Sequence, residues 1–281
     1  MHYSNYDLLF ALGDRYEMFA AVASTLPFNL KVAHIHGGET TLGAIDNAYR
    51  HGITLMSKYH FVSCSPYASK VESLIGNKEG VFNVGALSIE NLTELKLFSK
   101  EEMLSTFSLD LTKPSILFTF HPETVSFEKN EVYIQEVIEV MEATQNYQWV
   151  ITMPNADTMG NLIRSYLESY IKRATNVFSI ENFGTIGYLS AMKHCAFMFG
   201  NTSSGFVEAA FFPKYVINLG DRQKGRYRTP NIIDTPIERD EILKAIEKAQ
   251  ASNTLQYDGF YGKGNTAKQI VEILKNQLSS E

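Results

Sequence analysis

Four polar clusters in this sequence each follow a short apolar run of the kind that forms a buried strand. They are GDRYE from Gly13, HIHGGETT from His34, FHPET from Phe120 and GNTSSG from Gly200. Ligands of parallel sheets bind beside the carboxyl ends of the strands, so residues at these positions are candidates for binding and catalysis. The acids and histidines of the first three clusters could move protons, and the hydroxyls of the fourth could hold an anion.

The first cluster contains Asp14, for which the residues alone leave two roles open. Aspartate is a preferred N-cap, so Asp14 could begin the helix that follows. It could equally serve as an acid or base beside a bound substrate.

The second cluster combines two histidines, His34 and His36, with paired glycines and Glu39, and it runs on to Asp46 and Arg50-His51. The histidines alternate with Ile35 and should share one face of a strand, and glycines let the backbone approach a ligand. The crowding of titratable groups favours proton transfer. The alternative is a glycine turn followed by a helix capped by Thr40 or Thr41, and a metal would need a third convergent ligand.

The third cluster places His121 at a strand end, where Pro122 holds it extended. This position suits a substrate-contacting histidine, although a lone histidine is more often structural.

The fourth cluster predicts an anion site. Its hydroxyl residues precede a predicted apolar helix at 206–212, whose N-terminus attracts negative charge. It is not a Walker A loop, because Phe206 and Val207 follow instead of Lys and Ser or Thr. Glu208 could accept hydrogen bonds from ribose hydroxyls. The later segment GDRQKGRYR carries four cations in seven residues and predicts a diphosphate clamp, the alternative being a solvated basic loop.

Strand-like runs alternate with helical patterns, which predicts an α/β fold of parallel sheets built from right-handed βαβ units. The predicted helices include 133–144, 157–173 and 184–193. The predicted strands are 8–12, 31–35, 61–63, 81–84, 115–120, 149–153, 176–180, 197–199 and 215–219.

A length of 281 residues suggests about two domains. We place them at 1–110, with four strands, and at 111–281, with five strands and a final helix. The first domain begins on a strand almost at once and looks incomplete.

Composition narrows the class of protein. A net charge of −6 argues against a nucleic-acid partner, and two cysteines are too few for a disulfide scaffold. No signal peptide precedes Gly13, and no apolar run reaches the ~18 residues of a membrane helix. We expect a soluble, cytoplasmic protein with no membrane partner.

The motifs GDRYEM, HIHGGETTLGAIDNAYRH, FHPET, MPNADTMG, GNTSSGFVEA and INLGDRQKGR occur in this order. Together they closely resemble the hydrolysing UDP-N-acetylglucosamine 2-epimerases of bacterial sialic-acid synthesis, from Tyr6 to about Lys275. The resemblance implies a GT-B-like pair of Rossmann-like domains with the active site in the cleft between them. It implies conversion of UDP-N-acetylglucosamine and water to N-acetylmannosamine and UDP, with no cofactor or metal. Similar relatives hydrolyse UDP-diacetylbacillosamine for legionaminic acid.

The resemblance also assigns residues. On the nucleotide side, Thr202 and Ser203 match the diphosphate site, Glu208 the ribose contact and Arg222 the diphosphate end. Asn155 matches a nucleotide-side or sugar-side contact.

The remaining assignments concern the uracil and the sugar. Phe178 and Ser179 would lie near the uracil, and Arg15 and His36 are assigned to substrate binding. The catalytic residues implied are Asp14, Glu39, Asp46 and His121.

Two departures from the family pattern matter. The animal and non-hydrolysing relatives carry Glu where His36 stands, so the proton role of that Glu falls here to Glu39 or His36. No opening motif of the type GTRADYG precedes Tyr6, so we expect the chain to lack its opening strands. UDP binding should then be retained better than catalytic turnover. A homo-oligomer is expected of the full-length form. The alternative functions are an inactive UDP-binding fragment and a GT-B glycosyltransferase.

Overall fold

The computed structural model describes residues 6–40, 46–123, 127–154, 158–252 and 255–279. It contains two compact units. The first comprises Met1–Glu94 and Asp258–Glu281, and the second comprises Leu95–Tyr257. No helix in the described ranges is both long enough and apolar enough to cross a membrane.

Ten strands and eleven α-helices fall within the described ranges. The strands are β1 (Leu8–Leu12), β2 (Lys31–Ile35), β3 (Tyr59–Val62), β4 (Val81–Asn83), β5 (Ser115–Thr119), β6 (Gln148–Thr152), β7 (Val177–Ile180), β8 (Phe197–Gly200), β9 (Val216–Leu219) and β10 (Ile232–Thr235). The helices are α1 (Tyr16–Thr25), α2 (Asp46–Leu55), α3 (Ser65–Ile75), α4 (Leu87–Glu94), α5 (Lys100–Phe107), α6 (Asn130–Ala143), α7 (Thr158–Ile171), α8 (Gly184–His194), α9 (Glu208–Phe211), α10 (Arg239–Ala251) and α11 (Thr266–Ser279).

The first unit is built on a parallel sheet in the order β1-β2-β3-β4. Helix α11 returns to this sheet from the far end of the sequence. Its Ile270 and Leu274 are buried in one cluster with Tyr59 and Phe61 of β3. The hydroxyl of Thr266 donates to the Val84 carbonyl at 3.1 Å, which fixes the start of the helix.

The second unit is a six-stranded parallel sheet in the order β10-β9-β8-β5-β6-β7. The chain winds outward from β5 in one direction and from β8 in the other. The neighbouring ends of β5 and β8 therefore form the topological switch point, where ligands of such sheets bind. Beneath it, Phe118, Trp149 and Phe199 pack edge to face or tilted in the core.

The α/β class and the two parallel sheets predicted from the sequence are confirmed, with one strand missed. Strand β10 has only four residues, and its Asp234 interrupts the apolar pattern to accept hydrogen bonds from Asn218 and Arg228. The second sheet therefore has six strands rather than the predicted five.

The domain limits differ from those expected at residue 110. Helix α5 belongs to the second unit, because Phe107 packs on Phe183 and the Phe98 amide donates to Ser190 of α8. The final helix belongs to the first unit, because its apolar face completes the core over β3.

Candidate functional site

In the first unit, the residues that follow β1 and β2 converge on one buried guanidinium. Arg50, on α2, is 4% exposed in its side chain and forms an ion pair with Asp14 after β1. Its Nη1 also donates to the His36 carbonyl at 2.6 Å and lies 3.9 Å from a carboxylate oxygen of Glu39. A cation held this tightly fixes both acids after β1 and β2 in place.

This arrangement tests the helix-capping role left open for Asp14. The N-cap position of α1 is Arg15, and no side chain caps that helix. Asp14 instead accepts a hydrogen bond from Arg50. The capping role is therefore wrong.

His36 and Glu39 form a hydrogen-bonded pair. Nδ1 of His36 lies 2.8 Å from Oε1 of Glu39, and Ser63 at the end of β3 donates to the same oxygen at 3.4 Å. The Glu39 side chain is 7% exposed and that of His36 is 20% exposed. Because a carboxylate only accepts, Nδ1 carries the proton, and in the neutral imidazole Nε2 is the basic nitrogen.

The backbone at His36 is in the left-handed region, with φ of 65°. This is uncommon for a residue other than glycine, and it is held from both sides. The His36 amide donates to the Phe61 carbonyl at 2.9 Å, and the His36 carbonyl accepts from Arg50. Strain that is fixed in this way is typical of functional sites.

His34 has a structural role. It is buried, its Nε2 lies 2.8 Å from the Gly13 carbonyl, and its Nδ1 lies 3.1 Å from the Thr54 hydroxyl. Burial lowers the pKa of its imidazole to about 4. The expectation that His34 and His36 share one strand face is wrong, because β2 ends at Ile35 and His36 turns into the left-handed region.

The structure does not bring Arg15 into this buried cluster. Arg15 is exposed and pairs with Glu17 at 3.2 Å. Glu17, and more weakly Asp46, raise the pKa of the Arg15 guanidinium. Asp46 itself begins α2 and is half-buried.

In the second unit, Asn201 joins the loops at the switch point. Its buried side-chain amide accepts from the His121 amide at 2.7 Å and donates to the His121 carbonyl at 2.8 Å. The Asn201 carbonyl accepts from the Gln223 side chain at 2.8 Å. The loops after β5, β8 and β9 are therefore tied together, with His121 at their centre.

The basic segment after β9, for which a diphosphate clamp was predicted with a solvated loop as the alternative, is partly anchored by its arginines. Arg222 Nη1 donates to the Pro122 carbonyl at 2.8 Å. Arg228 pairs with Asp234 at 2.9 Å, and Lys224 lies 3.8 Å from Asp221. A cavity of about 630 Å³ borders this segment, and neither Thr202 nor Ser203 lines it.

The hydroxyl cluster after β8 is ordered by a neighbouring tyrosine. Tyr188 of α8 lies 2.7 Å from the Ser204 hydroxyl, which lies 3.2 Å from that of Thr202, while Ser203 is exposed. The helix predicted at 206–212 is present but shorter. A 3₁₀ turn, Ser203–Gly205, is followed by the four-residue α9, and Pro213 follows the end of that helix.

Of the remaining predicted residues, Phe178 and Ser179 lie on β7, and Glu208 lies on α9 directly after the hydroxyl cluster. Phe178, on β7, stacks on Phe183 with ring centroids 6.1 Å apart, and Ser179 beside it is exposed. Glu208 begins α9 and is half-buried. Asn155 lies outside the described residues.

Sequence reasoning missed several residues that organise these sites. Arg50 stood out only as a neighbour of His51, although its position four residues after Asp46 places it on the same helix. Asn201, Glu123 and Tyr188 gave no signal of their own, because their partners are distant in sequence.

Comparison with known proteins agrees with this architecture. A "GDP/UDP-N,N'-diacetylbacillosamine 2-epimerase (hydrolyzing)" of Campylobacter jejuni is 36% identical over 251 residues, 89% of this chain and 65% of that protein. "Polysialic acid biosynthesis protein P7" of Escherichia coli is 34% identical over 284 residues, 99% of this chain and 72% of that protein. The chain thus spans about two thirds of the length of these relatives.

A solved structure matches the fold, and a family model identifies the family. The solved structure of UDP-GlcNAc 2-epimerase from Neisseria meningitidis, bound to UDP-GlcNAc, shares the fold with a TM-score of 0.82 at 20% identity, over 96% of this chain and 76% of that one. The family model described as UDP-N-acetylglucosamine 2-epimerase matches residues 1–275. Because this match covers nearly all of the sequence that carries the two parallel sheets and their strand-end clusters, the chain belongs to the UDP-N-acetylglucosamine 2-epimerase family.

Proposed function

We propose that the protein is a hydrolysing 2-epimerase that converts UDP-N-acetylglucosamine and water to N-acetylmannosamine and UDP. The observation that carries the proposal is the His36–Glu39 pair, held with Asp14 around the buried Arg50 in a member of this family. This arrangement offers an oriented base beside ionisable carboxyls, which removal of a proton from a sugar carbon requires.

The proposed reaction has two steps. In the first, the C2–H bond breaks and its electron pair forms the C1=C2 double bond. The C1–O bond breaks with its pair leaving on UDP, and a base takes the proton. In the second, water adds across the double bond: a proton goes to C2 on the opposite face and hydroxide goes to C1. The base and acid would come from Asp14, Asp46, His121 and one member of the His36–Glu39 pair, either Glu39 or the His36 imidazole that it orients.

The nucleotide would be bound by residues of the second unit. Thr202, Ser203 and Arg222 suit the diphosphate, because hydroxyls and a guanidinium form strong hydrogen bonds to phosphate oxygens. Glu208 suits the ribose, and Phe178 with Ser179 suits the uracil. We also propose that the enzyme works in the cytoplasm and assembles as a homo-oligomer.

UDP-N,N'-diacetylbacillosamine is the alternative substrate, favoured by the name of the C. jejuni relative. It shares with UDP-N-acetylglucosamine the uridine diphosphate and the 2-acetamido group. The same acid-base steps therefore apply to both sugars.

The test is to incubate the protein with each nucleotide sugar in D₂O and to follow UDP by chromatography and the free sugar by NMR. Release of a free sugar that carries deuterium at C2, with inverted configuration, supports the proposal, and the preferred substrate identifies the sugar. UDP release that depends on an added acceptor would indicate a glycosyltransferase. UDP binding without release from either substrate would indicate a nucleotide-binding protein that is not an epimerase.

A further inference from the structure

Glu123 is a buried acid that the proposed reaction does not use. It follows His121-Pro122 after β5 and is 5% exposed. Its carboxylate oxygen Oε1 accepts a hydrogen bond from the backbone amide of Asp221 at 3.1 Å. This contact joins the end of β5 to the first residues after β9.

The backbone of Glu123 is itself fixed by Asn130, the first residue of α6. The Glu123 amide donates to the Asn130 side-chain oxygen at 2.9 Å, and the Asn130 side-chain nitrogen donates to the Glu123 carbonyl at 3.0 Å. Asn130 is fully buried. The carboxylate therefore projects from a backbone that is held on both sides.

The turn after β9 leaves room for this carboxylate. Gly220 has φ of 65°, and a Cβ built there would lie 2.6 Å from Glu123 Oε1. Two residues later, Arg222 donates to the Pro122 carbonyl at 2.8 Å. The turn at residues 220–222 is thus held against residues 122–123 by two hydrogen bonds, from the Asp221 amide and from Arg222, and by the close approach of Gly220.

We infer that Glu123 is a positioning residue that seats the turn at residues 220–222 and so aims the Arg222 guanidinium at an anionic ligand, the diphosphate of a nucleotide. A carboxylate that accepts from a backbone amide forms a stronger hydrogen bond than a neutral acceptor. The inference rests on the proposed nucleotide site in the second unit.

The experiment combines two measurements on the whole chain. Amide hydrogen exchange at residues 220–223 reports whether the turn is seated, and calorimetric titration with UDP reports whether the seating matters for binding. The variants are Glu123→Ala, Glu123→Gln and Gly220→Ala. The control is Glu128→Gln, an exposed carboxylate five residues further along.

Glu123→Ala should raise exchange at the Asp221 amide and weaken UDP binding, each by about tenfold. Glu123→Gln keeps an acceptor oxygen and should stay within about threefold of the wild type. Gly220→Ala should act like Glu123→Ala. The double variant should lose less than the two single variants together, because removing the carboxylate removes its clash with the new Cβ, while the contact with Ile237 Cδ1 at 3.0 Å and the positive φ remain. If Glu123→Ala fails to fold, Gly220→Ala and Glu123→Gln still decide the question.

The outcomes that overturn the inference are distinct from failure of the proposed function. Unchanged amide hydrogen exchange at residues 220–223 in Glu123→Ala would reject the proposal that Glu123 holds this turn in place. Additive losses of UDP affinity in the double variant would reject it as well. Faster exchange with unchanged UDP affinity would reject the role in binding. If the wild-type chain binds no UDP, the proposed nucleotide site is rejected, and the role of Glu123 in directing Arg222 at the diphosphate is rejected with it. The hydrogen-exchange measurement would still show whether Glu123 holds the turn at residues 220–222 in place.

Discussion

The imidazole of His36 and the carboxylate of Glu39 are joined by a hydrogen bond of 2.8 Å between Nδ1 and Oε1. The acid is the more buried partner, and it is further held by Ser63 and by the nearby Arg50. The pair therefore has the form of an oriented base, in which the acid sets the tautomer and the direction of the ring.

The first prediction separates proton transfer from nucleotide binding. His36→Asn should lower kcat about 10²–10⁴-fold, because asparagine tolerates the left-handed backbone but supplies no base. UDP affinity should stay within about twofold. Glu39→Gln should reduce kcat less, since the amide oxygen still accepts from Nδ1. Steady-state UDP release and calorimetry measure both quantities, and wild-type turnover in His36→Asn would exclude the imidazole as the base.

The second prediction concerns the buried guanidinium. Arg50→Met should lower the free energy of unfolding by about 3 kcal/mol, because Asp14 and Glu39 would remain with no guanidinium between them. Asp14→Asn keeps a hydrogen-bond acceptor for Arg50 and should lose turnover while retaining UDP affinity. The matched control is Arg15→Met, which removes only an exposed pair and should leave the urea midpoint unchanged. Equal midpoints for the two arginine variants would contradict this account.

The third prediction concerns the basic segment after β9. Arg222→Ala should weaken UDP binding about tenfold or more, since a charge-assisted diphosphate contact is worth roughly 1.5–3 kcal/mol. Lys224→Ala removes a more exposed cation of the same segment and should change UDP affinity by less than about threefold. An unchanged titration of Arg222→Ala would remove that residue from the nucleotide site.

The fourth prediction concerns acid stability. Burial lowers the pKa of both His34 and His60 to about 4, from the ordinary histidine value of 6.5. Between these values the unfolded chain binds protons that the folded first unit does not. The free energy of unfolding should therefore fall as the pH drops from 6.5 towards 4, by about 1.4 kcal/mol per pH unit for each histidine.

The variant that tests this is His60→Leu, because Nδ1 of His60 has no hydrogen-bond partner among the described residues. Urea unfolding at pH 7, 6 and 5 should show a shallower dependence of the free energy of unfolding on pH in this variant than in the wild type. An identical pH slope in the two proteins would rule out His60 as a source of acid sensitivity.

The strands were largely predictable because each is a short apolar run bounded by polar or turn residues. The predicted limits of 8–12 and 31–35 are those of β1 and β2. The run IIDT of β10 was missed because Asp234 breaks its pattern. The hydroxyl motif was placed correctly after β8, but the helix that follows it is shorter than predicted.

The partnerships within the sites could not be predicted in the same way. Asp14 and Arg50 are separated by 36 residues, and His121 and Asn201 by 80. Which side chains meet depends on the strand order and on the exact path of each loop. The sequence therefore identified the acids and histidines of the candidate sites, but not the groups that orient them.

The return of α11 to the first sheet has a consequence for synthesis on the ribosome. Residues 95–257, a complete unit, emerge before the helix that covers Tyr59 and Phe61. At translation rates of 5–20 residues per second, the first unit waits about ten to thirty seconds with this apolar surface uncovered. The second unit can mature during that interval, so the first unit completes its core only after residues 95–257 have been synthesised.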